Sequence, residues 1–275
     1  MPCSTAPPPA ERHRSALAIL ALSLFLVPAG AEDLRPEAPL ERPVTIRTSW
    51  QAELSLVLRR PATGLVERLE QRLADEQVVE RTVLSHAPPQ VRLRFQRHRR
   101  TEVVGGSRSD TTDPLEGAQV LLSATPDGVR AELEAGSAPP ERLRALPLED
   151  PILAALPAEA QVGVTFEATL PGFFTLGEPP IGIDARLEGH LEEVVETPDG
   201  SRVARLRLRL SSRHPGPPEL LTPAWKLELE GTLRLDLTLR RPLDMELRGR
   251  LHGRSVEGGV ELEGGGPVTM VRRWE

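Results

Sequence analysis

The sequence has one cysteine and no tyrosine, and aromatic residues make up only 3% of its 275 positions. Asparagine is absent, and Lys226 is the only lysine among 34 Lys and Arg residues. Cys3 lies in an N-terminal segment that reads as removable. The remaining chain is therefore expected to have no disulfide, no thiol nucleophile and no cysteine-based metal site. The net charge of −6 leaves no basic footprint for nucleic acid, because the arginines are interleaved with acids. No G-x-S-x-G elbow, S-x-x-K, P-loop or G-x-G-x-x-G occurs. The preference for arginine over lysine fits codon usage in a GC-rich genome.

What is present is a globular composition, 39% hydrophobic and 27% charged. At the N-terminus, Arg12 and Arg14 precede an apolar run over 16–27. Pro28 breaks it, and Ala29-Gly30-Ala31 leads into Glu32-Asp33. This is a positive region, an apolar region short for a bilayer, and a small-residue cleavage site. Residues 1–31 are expected to be a signal peptide cleaved near Ala31, with an uncleaved anchor as the alternative. The protein is then exported, to the periplasm or outside the cell, with no transmembrane span in the mature chain. Residues 32–42 read as a flexible, Pro-rich acidic leader. Residues 43–275 read as a single mostly-β domain.

From Val44 the chain alternates. Val44, Ile46, Thr48, Trp50, Ala52, Leu54, Leu56 and Leu58 share one face, and polar residues take most of the other. The pattern recurs at Val91-Leu93-Phe95, Val120-Leu122-Ala124, Val162–Leu170, Ile181–Leu191, Leu206–Leu210, Trp225–Leu239, Leu243–Leu251 and Val256–Met270. Pro126-Asp127-Gly128 and Pro198-Asp199-Gly200 are hairpin turns. Several runs exceed the usual strand of about 5–6 residues. Gly189, Gly231 and Gly249 stand at apolar-phase positions, where they mark bends. The expected fold is mostly β: a long, strongly curved antiparallel sheet, like half a barrel. A short helical segment near 139–156 would cover its apolar face, with Pro140-Glu141 and Glu149-Asp150-Pro151 opening its turns. Over 65–84, helix and strand both fit the local pattern.

At Asp113-Pro114-Leu115-Glu116-Gly117 the chain begins to resemble a group of uncharacterised secreted proteins of GC-rich bacteria. In that group a "PLEG" loop precedes a hairpin, and a Pro-flanked helical segment precedes a "V-x-V-G-x-x-W" strand. Here the hairpin is at Pro126-Asp127-Gly128, the Pro-flanked segment is 139–157, and the strand starts at Gln161-Val162-Gly163-Val164. Phe166 stands where the group has Trp, and Gly163 is displaced. The likeness spans about 44–255. It implies a secreted, mostly-β protein in which 65–84 is extended, and it transfers no functional residue.

Candidate chemistry is sparse. His86, His98, His190, His214 and His252 show no metal-ligand spacing, and solvated strand histidines are the expectation. Asp110, Asp113 and Glu116 lack the order of a calcium loop and read as a polar surface loop, with Asp110 capping it. Trp50, Trp225 and Trp274 fall in apolar phase, as core residues and not as sugar platforms. No catalytic residue, metal site or cofactor is indicated. Phe173 and Phe174, with Leu153 and Leu156, mark where the mouth of an apolar cavity would lie. The expected function is non-enzymatic: an interaction or scaffold protein of the envelope. A carrier of a lipid-like ligand in a half-barrel cavity is the first alternative, and a hydrolase with an unrecognised site the second. The partner is an unidentified protein or an apolar ligand. An outer-membrane barrel fits the alternation but not the scarcity of aromatics.

Overall fold

The computed structural model describes residues 31–37, 39–176, 181–214, 224–257 and 259–275. The expected signal segment, Cys3 included, lies almost wholly outside the described residues. The described chain forms one antiparallel sheet of twelve strands, not closed into a barrel, with two short helices. The strands are β1 (Pro43–Arg60), β2 (Leu65–His86), β3 (Pro89–Val104), β4 (Ser107–Thr112), β5 (Gln119–Thr125) and β6 (Gly128–Ala135). They continue as β7 (Thr165–Leu176), β8 (Ile181–Glu196), β9 (Arg202–His214), β10 (Ala224–Asp236), β11 (Arg241–Glu257) and β12 (Val260–Trp274). Helices α1 (Pro140–Arg144) and α2 (Pro151–Ala154) lie between β6 and β7. The spatial order is β6-β5-β3-β2-β1-β12-β11-β10-β9-β8-β7, with β4 paired to β3.

The segment over 65–84 is strand. Leu65 to Thr82 of β2 pairs residue for residue with β1, and β3 occupies its other edge from Gln71 onward. Ladder bonds on two edges outweigh a helical bias worth a few tenths of a kcal/mol per residue.

The inner face carries two apolar clusters. The first runs across β7–β12, with Leu187, Leu206, Leu208, Leu233, Leu247 and Met270 fully buried. The second joins β2, β3 and β5 through Val83, Val91, Phe95, Val120 and Leu122, and the α1 region packs on it through Leu143 and Leu146. Gly189, Gly231 and Gly249, on the apolar phase, have no room for a side chain. A Cβ on Gly231 would collide with the Glu246 carbonyl, and one on Gly249 with that of Glu228. Neighbouring strands thus approach more closely than any larger residue permits. At Gly189 the gap is filled from β7, where the Phe166 ring lies over the glycine across the strand pair.

The leader differs from expectation. Glu32 exchanges both backbone hydrogen bonds with Ala160, at 2.7 and 2.8 Å. Leu34 is 1% exposed within the first cluster. The Glu37 amide donates to the Arg240 carbonyl at 2.6 Å, and that of Glu41 to Val83 at 2.7 Å. A leucine inside an acidic, Pro-rich stretch is the feature that composition averages away.

Candidate functional site

At the place expected to be a cavity mouth, the described side chains are packed. Leu156 is 1% exposed, as is Ile152 on α2, and both belong to the first cluster. Leu153 and Phe173 pack against the same cluster. Phe174 pairs with Ile183 in the β7–β8 ladder, and its side chain lies outside the described residues. Leu153, Leu156 and Phe173 are thus brought together, but as parts of a packed roof. Close packing of this kind is the normal state of a protein interior.

Beside this roof runs a polar network. Asp150 is the N-cap of α2, and its Oδ1 accepts from the amides of Ile152 at 3.0 Å and Leu153 at 3.3 Å. Its Oδ2 pairs with Arg272 of β12, which also donates to Thr48 Oγ1 at 3.1 Å. The Arg272 guanidinium lies 5.9 Å from the Trp274 ring centre, within cation–π range. Arg81, on the inner face of β2, lies close to Glu149 and Asp150. Burial lowers its affinity for a proton, and the two carboxylates raise it in part.

A second polar cluster surrounds His98. Its Nε2 is 3.4 Å from Asp75 and its Nδ1 3.5 Å from Asp113, with only 13% of the side chain exposed. Asp113 also pairs with Arg142 of α1 and accepts from the Leu115 amide at 2.9 Å. The His98 amide donates to Glu116 at 2.8 Å. The loop 113–118 thereby grips β3 where that strand changes partner from β5 to β4. His98 is not the solvated strand histidine that alternation implies. Across from β2, Val79 pairs with Phe95 and Val78 with Arg97, so Gln96 is an extra residue. One bulged residue reverses the parity and turns His98 inward.

The acids proposed as a surface loop part company. Asp110 sits in β4 and pairs with Arg108 and Thr101, so it caps no turn; Asp113 takes that role. No group of three metal-ligating side chains occurs among the described residues. Trp225 is 7% exposed in the first cluster, and Trp50 and Trp274 pack against it.

The outer face carries cross-strand ion pairs. Arg207 reaches Glu230 at 2.8 Å, Arg186 reaches Glu167 at 2.6 Å, and Arg59 reaches Glu263 at 3.1 Å. Between β1 and β4 it is hollowed into an open groove of about 460 Å³ over Ser49, Ala74 and Thr101, walled by Arg97 and Arg99. A transmembrane barrel presents apolar side chains outward, and this sheet does the reverse. No described helix is long and apolar enough to cross a membrane.

No family model matches the chain, and no curated protein matches it. Among solved structures, an outer membrane channel from Pseudomonas putida F1 aligns at 10% identity and a TM-score of 0.24, over 88% of this chain and 98% of the channel.

Proposed function

We propose that this chain is an exported, non-enzymatic β domain of the bacterial envelope that works as an interaction or scaffold protein. The observation that carries this reading is the packed part of the inner face beside α2. Ile152 and Leu156, each 1% exposed, pack into the first cluster where an acyl chain would have to enter. Export after cleavage near Ala31 belongs to the same proposal, and it rests on the arginine-flanked apolar run and the small residues after Pro28. The likeness to uncharacterised secreted proteins of GC-rich bacteria supports it in kind. With the inner face packed beside α2 and the outer face charged, surface and strand edge are what a partner would meet.

The test is to purify the mature chain from cells, extract it with organic solvent, and assay it on ester, peptide and glycoside panels. The proposal expects no stoichiometric lipid and no hydrolysis. One lipid per chain would replace it with the carrier reading, and turnover on any panel with the hydrolase reading.

A further inference from the structure

The leader is held between two segments of the fold that bond to it from either side. One wall is 157–160, whose Pro157 and Ala160 carbonyls accept from the amides of Leu34 at 3.3 Å and Glu32 at 2.7 Å. The other wall is made by the ends of β9 and β11. Arg240, just before β11, gives one guanidinium nitrogen to Glu37 at 2.7 Å and the other to Asp33 at 2.8 Å. Arg202, at the start of β9, pairs with Glu32. Between the walls Leu34 is 1% exposed and inserts into the first apolar cluster. Arg240 itself stands at a φ of 49°, a left-handed conformation uncommon for arginine, with its carbonyl held by the Glu37 amide. The groove thus reads three features of an extended segment: backbone, one leucine, and acids on both sides.

Two of the three ion pairs that hold the segment are largely solvated, and only that of Glu32, 17% exposed, is not. Asp33 and Glu37 are 47% and 58% exposed at their side chains, and Arg240 is 42% exposed. Exposed pairs of this kind contribute little, so one buried leucine and a handful of backbone bonds carry the docking. Segments with so few buried contacts open locally without global unfolding.

We propose that this groove is a peptide-recognition site for extended acidic segments anchored by a leucine, with the leader as its tethered, exchangeable occupant. It rests on the interaction-protein reading and names the surface on which that reading operates. A partner presenting such a segment displaces the leader and takes the Leu34 position, the Ala160 backbone and the two arginines.

The probe is a fluorescent peptide with the sequence of residues 32–42, titrated into the mature chain and followed by anisotropy. In a chain carrying Leu34→Asp the tethered occupant is weakened, and the peptide is expected to bind saturably. Binding is expected to be lost when the peptide carries the same Leu34→Asp change, or when the chain also carries Arg240→Glu. A folded Leu34→Asp chain that ignores the peptide overturns the proposal. If that chain does not fold, amide exchange on the unaltered chain decides. The Leu34 and Glu37 amides are expected to exchange at least about 100-fold faster than those of Leu206 and Leu208. Equal rates would make the leader a permanent part of the core and overturn the proposal. Either failure leaves the interaction reading standing, whereas bound lipid or hydrolysis removes that reading and not the groove.

Discussion

Asp150 and Arg272 join the roof to the sheet: one carboxylate oxygen caps α2 and the other pairs with the β12 guanidinium. Their side chains are 14% and 19% exposed, so the pair is largely withdrawn from water. Removing one member of such a pair strands the other charge. Asp150→Ala should destabilise the fold by about 3–5 kcal/mol, cap loss included. Arg47→Ala breaks a pair with Glu275 in which both side chains are 53% exposed, and should cost under about 1 kcal/mol. Urea denaturation of both variants checks the contrast. Equal costs would mean that Asp150 and Arg272 are no strut.

The two faces of the sheet predict opposite responses. Leu229 is 1% exposed, and Leu229→Arg should unfold the domain, because a buried unpaired charge costs more than its total margin. Arg207→Leu, on the outer face at 60% side-chain exposure, should shift stability by under about 1 kcal/mol. Thermal melts of the two variants read this directly, and similar losses in both would refute the face assignment.

Crowded glycines and spacious glycines should separate in the same way. Gly231→Ala places a methyl against the Glu246 carbonyl, and backbone cannot rotate away as a side chain can. A loss of about 1–3 kcal/mol or more is expected. At Gly253 the nearest atom to an added Cβ is 3.6 Å away, in ordinary contact, so Gly253→Ala should be nearly neutral. Chemical denaturation midpoints order the two, and the reverse order would contradict the close strand approach at Gly231.

Acid sensitivity has an identifiable contributor in Glu134. Hydrogen bonds from Arg92 first, and Gln119 second, hold its carboxyl below the usual range. A carboxyl lowered by folding adds stability above its unfolded value, near about 4.3, and that stability is lost as pH falls through the folded value. Glu134→Gln should therefore be less stable than the unaltered chain at neutral pH. The gap should close on acidification below about pH 4. Solvent around Arg92 keeps the effect small. A gap that widens in acid would show the sign to be wrong.

Alternation over Val44–Leu58 was enough to read a one-sided strand, and Asp-Gly turns were enough to place the hairpins at 125–128 and 197–200. The Pro-opened turns at 140 and 151 were legible for the same local reason. Position 98 was not, because a single inserted residue in β3 reverses every later parity. Leu34 was not, because its burial depends on Arg240, Pro157 and Ala160, all far away in sequence. Arg272 was not, because its partner Asp150 lies 122 residues away and alternation says nothing of partners across the interior. The part of the candidate site that escaped the sequence is thus the part made by long-range polar pairing.

The inner face is packed solid beside α2, where the first cluster meets Ile152 and Leu156. Titrating the purified mature chain with a fluorescent fatty-acid probe tests it most directly. The packing of Ile152 and Leu156 predicts no saturable rise in probe emission at concentrations below those at which the probe self-associates. A rise that saturates at one probe per chain would contradict the claim and make this half-barrel a carrier.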